Sequence, residues 1–185
     1  MLLKDNIKCY GKFRGIYHYI KDGYYVALTL VSPVLNTKAR YRAAFGRKLD
    51  LNNPKTLNDK ILWLKLNVYA KDPLVIKCAD KYRVRDYVKS CGCGEILNKM
   101  IGAWDEPEEI PWDDLPNQFA LKWNFGAGMN VICLDKNKMN KDEIISKMRE
   151  WGNVKYWLSH SEMHYKHIKK KIICEELLNA SEEER

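Results

Sequence analysis

ALKWNFGAGMNVICL, residues 120–134, is the stretch whose reading decides the fold. Two apolar runs, Gln118–Asn124 (QFALKWN) and Met129–Leu134 (MNVICL), flank Gly126-Ala127-Gly128. Short apolar runs around a glycine turn predict an antiparallel hairpin with the glycines at its tip. Lys122 stands just before the turn. Glycines let backbone N–H groups close on phosphate oxygens, and a nearby lysine adds a point charge for the same oxygens. The segment is thus a candidate phosphate site. An ordinary hairpin with a glycine turn accounts for the same residues. The Walker pattern GxxxxGK[ST] is absent, and GxGxxG fails because Val131 occupies its last position.

Downstream, Lys171–Leu178 (KIICEELL) is a third strand signal, expected in the same sheet. A buried strand closing on two carboxylates is odd, because a buried Glu needs a partner. One use is a hinge, where backbone groups read an adenine edge and a carboxylate accepts from its amino group. The alternative is a strand end that reaches solvent. Between hairpin and third strand, Asn140 caps an expected helix from Lys141 to Trp151. A further helical stretch, Tyr156–Lys169, would place His160, His164 and His167 on one face. No tightly bound zinc is expected there. The acid is misplaced for HExxH, Lys166, Lys169, Lys170 and Lys171 oppose a cation, and a fourth ligand is lacking.

Upstream, Glu95–Trp104 reads as a strand and Asp105–Pro116 as an acidic, proline-rich loop. The front half reads as about three helices. Ser32-Pro33 marks one start, with Gly46 ending the helix after Phe45. Thr56 and Asp59 form a capping-box pattern ahead of Ile61, Leu62, Leu64, Leu66 and Val68. Asp72-Pro73 starts a run to about Ser90. The first 23 residues carry no clear signal. The expected fold class is α+β: a helical basic region, 1–92, followed by a mostly antiparallel sheet region, 93–185.

Composition bounds the function. The 185 residues are 46% hydrophobic, 30% charged and 11% aromatic, a globular balance that excludes a disordered tail. The net charge of +8 is lopsided: residues 1–90 hold 19 basic and 7 acidic side chains, while 91–185 hold 13 and 17. A basic front suggests an anionic partner, although charges scattered at helical spacing also describe a solvated face. Interleaved Tyr10, Lys12, Phe13, Arg14, Tyr17 and Tyr19 would suit single-stranded nucleic acid, but no RNP, KH or zinc-finger pattern accompanies them. The longest apolar stretch, Tyr24–Leu35, is about half a bilayer span. Met1–Lys12 has no signal-peptide core, and the 6 cysteines, with only Cys91 and Cys93 close together, read as free thiols in a cytoplasmic protein. GxSxG, SxxK and Cys–His nucleophile contexts are absent.

Taken together, YRAAFGRKLDLNNPKTLNDKILWLKL (41–66), DPLVIKCADKYRVRDYV (72–88), ILNKMIGAWD (96–105), LPNQFALKWNFGAGMNVIC (115–133) and EMHYKHIKKKIICEELL (162–178) resemble the TupA-like ATP-grasp family of cell-surface polysaccharide biosynthesis, named after a teichuronopeptide biosynthesis protein. The resemblance implies a partial ATP-grasp domain over 93–185. It implies ATP and Mg2+ as cofactors, and ligation of a carboxylate through an acyl phosphate. It places Lys122, Asn124, Gly126, Ala127, Gly128 and Met129 around the nucleotide phosphates, and Glu175, Glu176, Leu177, Leu178 and Glu182 around adenine and ribose. Phe125 stands where members often carry a small residue or His. The implied partners are a nucleotide and a surface-polysaccharide precursor or amino-acid substrate; the basic front half, read by its charge, adds peripheral contact at the inner face of the membrane as an expectation. Nucleic acid is not an expected partner. The family continues past the hinge into strands bearing magnesium-binding acids, so a truncated member with little or no ligase turnover of its own is expected. The competing expectation, from charge alone, is a non-catalytic basic module that binds nucleic acid or an acidic polymer.

Overall fold

The computed structural model describes residues 20–178. Glu182 and the aromatic–basic run Tyr10–Tyr19 lie outside them. The elements in chain order are helix α1 (20–31), α2 (Pro33–Phe45), α3 (Leu57–Leu64), α4 (Pro73–Ala79), α5 (Val84–Ser90), strand β1 (Met100–Trp104), β2 (Phe119–Trp123), β3 (Asn130–Cys133), α6 (Lys141–Gly152), α7 (Tyr156–His160) and β4 (Ile172–Glu176). The fold class is α+β, with helices leading and a four-stranded antiparallel sheet following. Two compact units result. One holds the described residues up to Ala70 together with Lys155–Met163; the other holds Lys71–Val154 together with the residues from His164 onward. Thus α4 and α5, which the sequence reading groups with the front helices, cluster with the sheet.

In the helical unit, the capping box at Thr56 forms as expected. Thr56 Oγ1 accepts from the Asp59 N–H at 3.3 Å, and Asp59 Oδ2 accepts from the Thr56 N–H at 3.1 Å. The other oxygen of Asp59 accepts the Tyr41 hydroxyl at 2.5 Å and faces Arg47 at 3.3 Å. A cap therefore doubles as a tie between α3 and α2. Its hydrogen bonds, led by that from Tyr41, hold the buried Asp59 carboxyl well below the usual carboxylate range. Gly46 ends α2 in the left-handed region (φ 67°), donating to Arg42 O at 2.9 Å.

Several boundaries differ from expectation for local reasons. Ser32 adopts the extended backbone of a cap, but its side chain makes no capping bond. The run 72–90 is two helices, because Asp80 accepts from Tyr82 N (2.9 Å) and Arg83 N (3.2 Å) and restarts the chain. The histidine stretch is not one helix either. α7 stops at His160, Ser161 is left-handed (φ 56°), and a 3-10 segment, Met163–His167, follows. His160, His164 and His167 therefore do not line a single α-helical face. The strand expected over Glu95–Trp104 is confined to Met100–Trp104, with a 3-10 turn at Gly94–Ile96.

In the sheet unit the strand order is β1-β4-β2-β3. The hairpin expectation holds: β2 pairs β3 from Phe119↔Cys133 to Lys122↔Asn130. β4 joins the same sheet as expected and pairs β2 from Phe119↔Glu176 to Trp123↔Ile172. Alternation then gives the sheet two unlike faces. Phe119, Leu121, Trp123, Ile172 and Cys174 share one face and are buried. The Trp123 indole donates to Met148 O of α6 at 2.9 Å, and Met148 is fully buried. Ala120, Lys122, Ile173 and Glu175 share the other face.

Two outcomes follow. A Cβ on Gly152 would sit 2.7 Å from the ring of Trp123, which its indole bond holds in place. Gly152→Ala should therefore destabilise the protein by about 1–2 kcal/mol in urea unfolding, despite Ala's better helix propensity. Because Asp59 titrates lower folded than unfolded, its contribution is present above an unfolded pKa of about 3.9 and lost as pH falls below it. The advantage of wild type over Asp59→Asn in urea midpoint should narrow steadily from pH 5 to pH 2, on the order of the range that linkage sets.

Candidate functional site

The polar face of the sheet is built around one carboxylate. On antiparallel strands, Lys122 of β2 and Glu175 of β4 are same-face diagonal neighbours, since Lys122 pairs with Ile173. Lys122 Nζ lies 2.5 Å from Glu175 Oε2. The other oxygen accepts from Arg85 Nη1 of α5 at 3.1 Å. Glu175 is buried and Arg85 nearly so, whereas about a quarter (28%) of the Lys122 side chain remains exposed. Arg85 also donates through Nη2 to Asn98 O at 2.5 Å, which fixes its fork.

A second lysine joins from the turn between α4 and α5. Lys81 Nζ donates to Gly126 O at 2.6 Å and to Trp123 O at 3.3 Å, and its backbone N–H donates to Asn124 O at 2.9 Å. Burial, reinforced by the neighbouring charge of Lys122, pushes the Lys81 ammonium below the usual lysine range. Lys122 and Arg85 thus answer Glu175, while Lys81, near Lys122 and the buried Asp80, holds the loop.

Of the residues expected around phosphates, the structure gathers Lys122 with Gly126, Ala127, Gly128 and Met129 on one strand-to-loop passage. Gly126 (φ 65°) and Gly128 (φ 78°) are both in the left-handed region that glycine adopts without penalty. Ala127 and Gly128 are exposed, while Phe125 and Met129 are buried and anchor the loop. Asn124 is placed differently. Fully buried, its amide donates to Asp80 Oδ1 (2.8 Å) and Lys169 O (2.9 Å), and its oxygen accepts from Lys171 N (2.8 Å). Its side chain is consumed in holding the loop against the chain entering β4.

At the expected hinge, Glu175 is taken by Lys122 and Arg85. Glu176 has its N–H on Lys99 O (3.0 Å), its carbonyl on Asn98 Nδ2 (2.8 Å) and its carboxylate paired with Lys99. Leu177 and Leu178 follow the strand, Leu178 exposed. A cavity of about 430 Å³ opens beside this end, lined by Tyr82, Arg85, Asn98, Lys99 and Met100. Sequence reasoning did not single out Lys81 or Arg85. Their four-residue spacing in a basic run was the available signal.

The cluster lies within residues 59–184, which match the model of the TupA-like ATPgrasp family. The chain belongs to the TupA-like ATP-grasp family. No curated protein matches it, and no solved structure does. In this TupA-like chain the family match includes every residue of the charged cluster, from Lys81 to Glu175.

Asn124 offers the sharpest structural test. Replacing it by Leu keeps the branching at Cγ but leaves the Lys171 N–H and the Lys169 carbonyl without their partner and takes from Asp80 one of its three donors. We expect about 2–4 kcal/mol lost in chemical unfolding.

Proposed function

We propose that this TupA-like protein binds ATP over the polar face of its sheet and serves ATP-dependent carboxylate ligation in cell-surface polysaccharide assembly. The observation carrying the reading is Lys122, held by Glu175 on a central strand and followed directly by a loop with two left-handed glycines. Lys122, with Lys81 as a neighbouring cation at the start of the loop, suits a polyphosphate. Exposed amides at Ala127 and Gly128 suit its oxygens. The donor set therefore fits the nucleotide's phosphates.

It does not fit Mg2+ in the same way. Magnesium is usually held by one or two carboxylates together with substrate phosphates. Glu175 already answers two cations, and no group of three His, Cys, Asp or Glu side chains gathers among the described residues.

In the proposed reaction a substrate carboxylate oxygen takes the γ-phosphoryl group and ADP leaves. A nucleophile then attacks the acyl carbon and inorganic phosphate departs. Lys122 contributes by offsetting charge on the phosphates, and Glu175 contributes by fixing where Lys122 points. Arg85 holds Glu175 from the other side. The adenine is assigned to the chain at Leu177 and Leu178, past the last sheet bond.

Calorimetry tests the assignment. Lys122→Ala removes one charge-assisted contact and should weaken ATP binding about ten- to a hundredfold, corresponding to roughly 1.5–3 kcal/mol. Equal affinity in a variant with an unchanged circular dichroism spectrum would remove Lys122 from the site.

A further inference from the structure

α1 is built the wrong way round for a helix of a self-contained core. Of its described residues only Tyr25 and the polar Thr29 are buried, Thr29 donating to Leu158 O at 2.6 Å and accepting from the amide of buried Asn36 at 2.5 Å. Its apolar side faces out. Ile20 (65% exposed), Tyr24 (55%) and Val31 (77%) recur at helical spacing along that side, and Leu30 (66%) flanks them. An isolated exposed Leu needs no account, whereas buried polar groups paired with a contiguous exposed apolar side do.

The neighbouring residues give this side its partner. From Gly23 to Thr37 no residue is charged. Beyond the one-residue corner at Ser32, α2 shows Leu35 (44% exposed), then Lys38 and Arg42 on the same side. Lys38, Arg42 and Lys48 border a cavity of about 290 Å³ floored by Ala39 and Leu49. None of the three cations makes an ion pair among the described residues. An uncharged apolar helix followed by unpaired cations is the pattern that rests in a bilayer interface, with apolar side chains among acyl chains and cations at the headgroups. No helix among the described residues is long and apolar enough to cross a membrane. A second copy would set like charges against each other, which disfavours self-association through this side.

We propose that α1 and the start of α2 form a surface that docks on an anionic phospholipid bilayer, with Leu30, Val31 and Leu35 inserted and Lys38, Arg42 and Lys48 on the phosphates. These residues precede the family-matched segment, which begins at residue 59, so the proposal stands independently of the ATP reading.

The test is vesicle flotation with the full chain. Vesicles of equal parts phosphatidylglycerol and phosphatidylcholine should carry the protein, and pure phosphatidylcholine should not. Raised salt should release it. Lys38→Gln with Arg42→Gln should weaken partitioning about thirtyfold, at about 1 kcal/mol per interfacial cation. Leu30→Asp with Val31→Asp, both at exposed positions, should abolish partitioning with the circular dichroism spectrum unchanged. Undiminished binding by that second variant would overturn the proposal, as would equal binding to both vesicle types. Self-association lost in the same variant, without vesicle binding, would assign the surface to a second copy and overturn it equally.

Discussion

One carboxylate, buried on a central strand, sets conditions for everything around it. Glu175 sits in β4, between β1 and β2, where a lone charge would be costly to desolvate. Two cations from two different elements, Lys122 from β2 and Arg85 from α5, meet its two oxygens. That arrangement requires β2 and β4 in their observed register, since a one-residue slip would send Lys122 to the apolar face. It also requires α5 to stand over the sheet's polar side. The sheet's other face carries no charge to match: Phe119 and Leu121 are buried apolar side chains, and Trp123 adds one indole hydrogen bond to α6.

Around this pair, the loop at 124–129 is anchored at both ends and open in its middle. Asn124 and Phe125 are buried at one end and Met129 at the other, and Lys81 grips Gly126 O. Only Ala127 and Gly128 stand free to solvent. A loop fixed in this way presents its amides with little ordering left to do, which lowers the entropic cost of meeting a ligand. The cations serve two ends at once: Lys81 and Arg85 bind backbone carbonyls and so hold the structure, while their charge remains part of the field above the sheet.

How much was legible in the sequence depends on the range of the interaction that decides each element. The β2–β3 hairpin and the Thr56–Asp59 cap are local, written within a few residues, and both were readable. The break at Asp80 was not, because a capping Asp inside an apolar–basic run looks like any helical polar residue. Ser161 adopts a left-handed backbone without being glycine, steadied by Thr29 at 3.0 Å, 132 residues away in sequence. Nothing near it announces the end of the helix. Most of α1 was legible as part of the apolar run Tyr24–Leu35 but not as a helix, because its apolar side is outward and no core-facing stripe marks its period. Lys81 and Arg85 belong to the cluster through Gly126 and Glu175, contacts of 45 and 90 residues' separation. Lys122 and Glu175 were legible one by one; their pairing came only with the sheet.

The segment Lys155–Met163 belongs to the helical unit, although the whole hairpin and α6 intervene. Thr29 and Asn36 satisfy their polar groups on Leu158 O and Ser159 O, and Lys65 donates to His160 O at 2.8 Å. On the ribosome, the first helices emerge with these donors unanswered and must wait for the best part of the chain to be made. The helical unit therefore closes late, after β2 and β3 are already available to pair, and the sheet closes later still, since β4 follows Lys155–Met163 in the chain and lies between β1 and β2. High sequence separation of this kind slows folding more than it weakens the finished structure.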